Sequence, residues 1–239
     1  MNNVEQADDQ QPEGTRRRAF KNRRDAGQQL APLLGSYRGS NPLVLALPRG
    51  GVPVAFEVAT YLNAPLRAFP TRKIGAPGQP ELGIGAVAPG GTLVLNEQTI
   101  RELEIPREDV DLIIARETKE LDDRISLYWR DDGGLNLSER VVILVDDGLA
   151  TGSTAWAALR ALRNLRVQHL TLAVPICASQ TAQFLFAVAD TVVCVLHTDN
   201  LSAVGLWYDN FEQTSDQEVA QLLDQADRLY RESDSATAQ

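Results

Sequence analysis

The stretch VVILVDDGLATGST, residues 141–154, decides the fold of this chain. Its apolar run at 142–145 is mostly β-branched, which is typical of a strand buried on both faces of a parallel sheet. Asp146 and Asp147 follow directly, and small residues at 148–154 then lead into a helical pattern. The order strand, two acids, small loop and helix indicates an α/β fold with a site where the strand ends.

The small loop has the composition of an anion site. Its Gly, Ala, Ser and Thr residues let backbone N–H groups converge on one point, and the next helix adds unpaired N–H groups and its positive dipole end. Thr151, Ser153 and Thr154 can donate from their hydroxyl groups. Gly152 lets the backbone approach an anion closely. The loop therefore suits a phosphate monoester.

The two acids would repel a phosphate, so we expect them to contact a group about a sugar's width away. Carboxylates accept hydrogen bonds from both hydroxyls of a cis-diol, and they hold Mg²⁺ directly or through water. One alternative is the Walker B strand of an NTPase, but the chain contains no G-x-x-x-x-G-K-[ST] and no Gly that precedes a Lys. The other is a purely structural turn, which would not need two acids beside so small a loop.

At all its positions, this stretch resembles the motif with which type I phosphoribosyltransferases bind 5-phosphoribosyl-1-pyrophosphate (PRPP). The resemblance implies that Asp146 and Asp147 hold the ribose 2′ and 3′ hydroxyls and Mg²⁺. It also implies that the PRPP site includes Gly148 and that the 5′-phosphate is wrapped by Ala150, Thr151, Gly152, Ser153 and Thr154. The implied fold is a single Rossmann-like α/β domain with a central, mostly parallel sheet flanked by helices, a flexible β-hairpin loop and a small hood from the terminal segments.

A second strand, loop and helix pattern lies upstream. Residues 42–47 are predicted as a buried strand, 48–53 (PRGGVP) as a loop, and 54–62 as a helix. Arg49 can reach a pyrophosphate bidentately, and Gly50 and Gly51 permit unusual backbone geometry. In the resembling family the corresponding loop binds pyrophosphate and often contains a non-proline cis peptide. That role falls here on Arg49, Gly50 and Gly51.

The region 72–95 resembles the flexible hairpin that the family carries between its second and third core strands. Residues 72–81 are predicted as a mobile loop because they are rich in Gly and Pro, and 82–87 and 92–95 as a hairpin. The resemblance makes Arg72 and Lys73 candidates to neutralise pyrophosphate, Lys73 as a catalytic residue beside Arg49, Asp146 and Asp147. Glu81 would contact Mg²⁺ or the nucleophile. A plain surface position is the alternative for Lys73.

The remaining segments define the predicted domain organisation. Residues 1–14 are expected to be a disordered tail and 15–239 one phosphoribosyltransferase domain, with a core at about 40–196. The hood would combine about 197–232 with an N-terminal helix predicted from Thr15 to Ser36. The basic cluster of that helix, 16–24, is either an anion-binding surface or, as is more usual, a solvated face. Trp207 or Tyr208 would stack on the acceptor base or dock the tail on the core.

Composition narrows the class of protein. The net charge of −9 argues against a general nucleic-acid binder, and the lack of a long apolar run predicts a cytoplasmic protein without membrane contact. Cys177 and Cys194 are predicted to be reduced core residues because both sit in apolar runs typical of neighbouring strands. Their spacing matches no metal motif that we recognise. His169 and His197 fall near strand ends and are not predicted as catalysts. We expect a homo-oligomer, specifically a dimer.

The expected activity is an Mg²⁺-dependent transfer of the phosphoribosyl group from PRPP to a nitrogenous, purine-like base, with release of pyrophosphate, as in nucleotide salvage. The alternative is a PRPP-sensing regulatory protein with this fold and little or no catalysis. The sequence leaves the acceptor base open. We expect Asp147→Asn and Thr151→Val each to weaken PRPP binding without unfolding the protein.

Overall fold

The computed structural model describes residues 19–128 and 137–237. The predicted tail at 1–14, the predicted cap Thr15 and the basic residues 16–18 lie outside these ranges. The strands are β1 (Leu43–Ala46), β2 (Leu66–Ala68), β3 (Arg72–Ala76), β4 (Gln79–Ala88), β5 (Thr92–Leu95), β6 (Val141–Val145), β7 (His169–Ala178) and β8 (Thr191–Thr198). The helices are α1 (Arg23–Leu30), α2 (Gly51–Leu62), α3 (Glu97–Glu102), α4 (Arg107–Tyr128), α5 (Ser153–Asn164), α6 (Ser179–Leu185) and α7 (Asp216–Thr237).

The central sheet contains five parallel strands in the order β2-β1-β6-β7-β8. Strand β6 lies in the middle because its side chains are apolar on both faces. Val142 and Leu144 pack against the α5 and α6 side, whereas Ile143 and Val145 pack against the α2 and α7 side. The predicted α/β class and the flanked parallel sheet are thus confirmed.

A separate three-stranded antiparallel sheet, in the order β3-β4-β5, contains the predicted hairpin. The prediction of a loop at 72–81 is wrong except at residues 77–78, which form a turn, since Arg72–Ala76 is a strand and Gln79–Ala88 is the next one. Ile74 is fully buried and packs with Ile84 and Val110, so the small sheet covers one face of α4. This burial outweighs the turn preference of the local Gly and Pro residues.

Several predicted boundaries shift. The N-terminal helix begins at Arg23, where the Asn22 side chain accepts a 2.9 Å hydrogen bond from the backbone N–H of Asp25, and a 3-10 helix follows at Ala31–Tyr37. Helix α2 begins at Gly51, three residues before its predicted start. Within the described ranges, every helix is too short or too polar to span a bilayer.

Residues 19–23 and 201–212, called here the terminal segments, pack on each other at the carboxyl edge of the central sheet. The N–H groups of Ala19 and Phe20 both donate to the carbonyl oxygen of Trp207, at 3.1 Å, and Phe20 pairs with Tyr208 in a parallel bridge. The rings of Phe20 and Tyr208 lie 5.2 Å apart and are almost fully buried. The two terminal segments therefore form one layer beside Asp146 and Asp147, called here the acid pair.

Candidate active site

The two predicted loops meet because β1 and β6 are neighbouring parallel strands, paired from Leu43 and Val142 to Ala46 and Val145. The Leu47 N–H donates to the carbonyl oxygen of Val145 at 2.9 Å, which holds the upstream loop against the end of β6. The peptide bond between Pro48 and Arg49 is cis, as the family resemblance implies. The carboxyl ends of both strands thus face one site.

The glycines of the upstream loop are required by close contacts. A Cβ atom on Gly50 would lie 2.0 Å from Oδ2 of Asp147, and one on Gly51 would lie 2.7 Å from the carbonyl oxygen of Val145. Gly50 itself has an ordinary helical backbone, with φ −62° and ψ −32°. The predicted reason for this glycine, unusual backbone geometry, is therefore wrong, and the true reason is the space that the Asp147 carboxylate occupies.

Asp147 is fixed by the terminal segments. Nε of Arg23 donates to Asp147 Oδ2 at 2.7 Å, and the two side chains are only 11% and 16% exposed. The Arg23 guanidinium also lies 3.8 Å from the centre of the Phe211 ring and donates to the carbonyl oxygen of Glu212 at 2.7 Å. The Tyr208 hydroxyl donates to the backbone carbonyl of Asp147 at 2.6 Å. Side chain and main chain of this acid are thus both held.

Each acid keeps one carboxylate oxygen available. Asp146 Oδ1 accepts the backbone N–H of Asp147 at 2.9 Å, while Asp147 Oδ2 is taken by Arg23. No hydrogen-bond donor in residues 19–128 or 137–237 reaches Asp146 Oδ2 or Asp147 Oδ1. Two adjacent acceptors of this kind match the two hydroxyls of a cis-diol.

The small loop forms a cradle of backbone donors. Gly152 has φ +71° and precedes the first turn of α5, and the N–H groups of residues 150–154 have no acceptor in the described part of the chain. The Thr181 hydroxyl, on α6, donates to the Ala150 carbonyl at 2.7 Å and fixes the loop from behind. Because the φ of Gly152 is left-handed and a Cβ there would lie 2.5 Å from Thr181 Cγ2, only glycine fits this position. Five N–H groups without an acceptor among residues 19–128 and 137–237, at the start of a helix, are the arrangement on which anion sites are built.

A cavity of about 270 Å³ beside the upstream loop is lined by three arginines, Arg49, Arg72 and Arg124, together with Pro48, Pro70 and Thr71. Arg72 pairs with Glu117 at 2.8 Å, and Arg49 lies 3.7 Å from Asp216. Arg124, on α4, has no ion pair or hydrogen bond with the described residues. The cavity therefore brings three guanidinium groups together beside the upstream loop.

Lys73 is not part of that cavity. It lines a different one, of about 430 Å³, between the small sheet and α4, together with Arg116 and Glu117. Arg72 borders both cavities, so the structure groups Arg72, and not Lys73, with Arg49. The side chain of Glu81 lies outside the described residues.

Comparison with known proteins decides the family. The family model of the phosphoribosyl transferase domain matches residues 84–209, more than half of the chain. The chain belongs to the type I phosphoribosyltransferase family. Two Mycobacterium tuberculosis proteins, named "Putative phosphoribosyl transferase" Rv0571c and MT0597, are each 42% identical to it over 219 residues. The match covers 92% of this chain and 49% of each relative, so the chain spans about half the length of the curated relatives that it matches.

The crystal structure of TT1426 from Thermus thermophilus is similar over nearly its whole length. It is 37% identical, has a TM-score of 0.75, and the match covers 85% of this chain and 97% of that one. The chain therefore shares its fold with a solved structure of similar extent.

The sequence did not single out three residues of the candidate site: Arg23, Arg124 and Thr181. Arg23 belongs to the basic cluster, whose usual interpretation as a solvated face is wrong for this residue because its side chain is nearly buried against Asp147. Tyr208 is 1% exposed, so it docks the tail on the core and does not present its ring to a base. The only sequence signal for either residue was its position in a charged or aromatic cluster.

The acid pair carries an electrostatic cost in the ligand-free protein. Burial raises the pKa of Asp146 well above its usual value, and the negative charge of Asp147 raises it further. Burial also raises the pKa of Asp147, although the Arg23 guanidinium opposes that rise. Since folding raises both pKa values, the folded state binds protons more tightly than the unfolded chain. The contribution of this pair to stability is therefore fully present below the ordinary pKa of an aspartate and is lost as the pH rises through the folded-state pKa values.

Asp146→Asn should therefore stabilise the ligand-free protein. The amide has no charge to bury and its oxygen can still accept the Asp147 N–H. We expect a melting temperature above that of the wild type at pH 7, with the gain shrinking as the pH falls towards about 4, the ordinary pKa of aspartate. Thermal unfolding across this range measures it. The matched control is Asp190→Asn, which loses a 2.7 Å ion pair with Arg163 and should lower the melting temperature at pH 7. A gain that does not vary with pH would contradict the assignment.

Proposed function

We propose that this chain transfers the 5-phosphoribosyl group of PRPP to a nitrogenous, purine-like base and releases pyrophosphate. One observation carries the proposal: two carboxylate oxygens without donors lie one loop away from five backbone N–H groups without acceptors, within the part of the chain that the structure describes. A ribose 5-phosphate presents the complementary groups, a 2′,3′-diol and a terminal phosphate. Such a ligand would bind the acid pair through its diol and the backbone N–H groups of residues 150–154 through its phosphate.

The arginine cavity suits the leaving group. Displacement at ribose C1 has an oxocarbenium-like transition state, so negative charge grows on the departing pyrophosphate. Arg49, Arg72 and Arg124 line this cavity, and positive groups that are positioned before the reaction stabilise developing charge most effectively. Arg72 is positioned in this way by its 2.8 Å ion pair with Glu117. Among the sequence-predicted catalytic residues, Arg49 fits this role, and Lys73 would reach pyrophosphate only if the small sheet moved.

The acid pair also fits Mg²⁺. Its available oxygens, Asp146 Oδ2 and Asp147 Oδ1, are the hard ligands that Mg²⁺ prefers, and one or two carboxylates plus substrate oxygens make up its usual coordination. When bound, Mg²⁺ neutralises part of the pyrophosphate charge. Asp146 and Asp147 orient the diol by accepting from its hydroxyls, and the cradle at 150–154 anchors the phosphate end.

The acceptor base would lie on the side of the terminal segments, which border the acid pair. Trp207 is half-buried there, and Leu206 beside it is 55% exposed. Tyr208 is excluded as the stacking ring by its burial.

The test is a base panel. Purified protein is incubated with PRPP, MgCl₂ and single purine or pyrimidine bases, and pyrophosphate release is measured alongside calorimetric PRPP binding. We expect PRPP to bind and one base class to release pyrophosphate, with activity lost in Asp147→Asn and kept in Asp190→Asn. Binding of PRPP without consumption of any base would favour the regulatory alternative. Absence of PRPP binding would refute both functions.

A further inference from the structure

We propose that Cys177, Cys194 and His197 form a binding site for a thiophilic divalent metal ion. The ligand set favours Zn²⁺, which would cross-link the edge strand β8 to β7. The three ligand atoms lie within 4.8 Å of one another. The chain has only two cysteines and two histidines, so this cluster gathers both thiols and one of the two imidazoles. The site is separate from the acid pair and does not depend on the proposed transfer reaction.

The register of the parallel sheet creates the cluster. Cys177 and His197 are direct neighbours on β7 and β8, and Cys177 Sγ lies 3.2 Å from His197 Nδ1. Cys194 is three residues before His197 on the same strand, and its Sγ donates to the Leu196 carbonyl at 2.9 Å. That contact directs the thiol along the strand toward the other two ligands.

The dimensions fit a tetrahedral ion. With metal–sulfur bonds of about 2.3 Å and metal–nitrogen bonds of about 2.0 Å, ligand atoms of a tetrahedral site lie roughly 3.3 to 3.8 Å apart. The Cys177–His197 separation of 3.2 Å lies just below this range, and the limit of 4.8 Å for all three atoms exceeds it by about 1 Å, so small side-chain rotations would bring the ligands to tetrahedral spacing. Two thiolates and an imidazole select Zn²⁺ over Mg²⁺, which prefers oxygen ligands.

Burial changes steadily across the cluster. Cys177 is fully buried, Cys194 is partly buried and His197 is exposed, so an ion can enter from the His197 side and keep a fourth ligand from solvent. On its other side β7 bridges Leu149 of the cradle loop, through Leu149 N–H to the Ile176 carbonyl at 2.8 Å and Ala178 N–H to the Leu149 carbonyl at 2.9 Å. The ion would therefore stabilise the end of the sheet on which the cradle rests.

Cobalt binding tests the site. Full-length protein, kept reduced with a phosphine, is titrated with Co²⁺. A thiolate-to-cobalt charge-transfer band in the near ultraviolet reports sulfur ligation. Binding of Co²⁺ to carboxylates such as Asp146 and Asp147 gives no such band. We expect one equivalent of Co²⁺ to give the band, and Zn²⁺ to abolish it. Cys194→Ser and His197→Ala should lose stoichiometric binding. The matched control is His169→Asn, at the opposite end of β7, which should keep it.

Thermal unfolding gives an independent measurement, because an ion that binds only the folded state raises the melting temperature. Zn²⁺ should raise it for the wild type and for His169→Asn, but not for His197→Ala. Two outcomes would overturn the proposal. One is no charge-transfer band at stoichiometric Co²⁺ in the wild type, which would leave only a hydrogen-bonded thiol and imidazole. The other is a band or a Zn²⁺ stabilisation that survives in His197→Ala.

Discussion

Asp147→Asn should bind PRPP about 10- to 100-fold more weakly than the wild type. The asparagine side chain has two orientations. In one, its oxygen faces the diol and its NH₂ faces Arg23; in the other, its oxygen faces Arg23 and its NH₂ faces the diol. One of the two contacts of the carboxylate is therefore lost in each orientation. A hydrogen bond to a charged group is worth about 1.5–3 kcal/mol, and each 1.4 kcal/mol is a factor of ten in affinity. Isothermal titration with PRPP and Mg²⁺ measures the change.

The same substitution leaves the Arg23 guanidinium without its carboxylate, so we also expect a loss of about 1–3 kcal/mol in the free energy of unfolding. This is less than the usual stability of a domain, and the protein should remain folded, as the sequence predicts. Asp190→Asn is the control, because it removes an ion-paired carboxylate far from the cradle and should leave PRPP affinity unchanged. Wild-type affinity in Asp147→Asn would remove Asp147 from the proposed diol site.

Gly50→Ala should abolish measurable PRPP binding although it adds a single methyl group. That methyl would lie 2.0 Å from Asp147 Oδ2 and 3.2 Å from Arg23 Nε, so the carboxylate and its arginine must both move. Overpacking of this kind typically costs about 1–3 kcal/mol of stability, and here the displaced group is the one proposed to hold the diol. Calorimetric titration and thermal unfolding together separate the effect on binding from the effect on stability.

The matched control for this change is Gly35→Ala, where the new Cβ would lie 3.5 Å from the Tyr61 hydroxyl, an ordinary contact. We expect it to bind PRPP normally. If Gly50→Ala also bound PRPP normally, the close approach of the upstream loop to Asp147 would not matter for ligand binding. The upstream loop would then no longer count as part of the proposed site.

The central strands and the loops that follow them could be predicted because short stretches of sequence determine them. The 141–154 stretch carries its own strand, acid pair, tight turn and helix start, and all four appear where the pattern places them. The same holds for the strand before the upstream loop. In each case the information lies within a few residues, where apolar patterning and glycine positions act directly on the backbone.

The contacts missed from sequence join distant segments. Arg23 and Asp147 are 124 positions apart, and Tyr208 is 61 positions from Asp147, so nothing local marks either as a partner. The strand at Arg72–Ala76 exists because β4 and α4 bury Ile74, which a Gly- and Pro-rich stretch does not reveal. Likewise Cys177 joins His197 only through the register of β7 and β8, which no motif spacing encodes.

The layer formed by the two terminal segments matters for the design of variants with a new base specificity. Arg23 reaches Asp147 only while Phe211 and the Glu212 carbonyl support its guanidinium, so the two ends behave as a single exchangeable module. A chimera that imported a foreign C-terminal segment alone would leave Arg23 beside the acid pair without these two supports. Grafting both terminal segments together would preserve the ion pair with Asp147 while changing the surface that we propose to face the base.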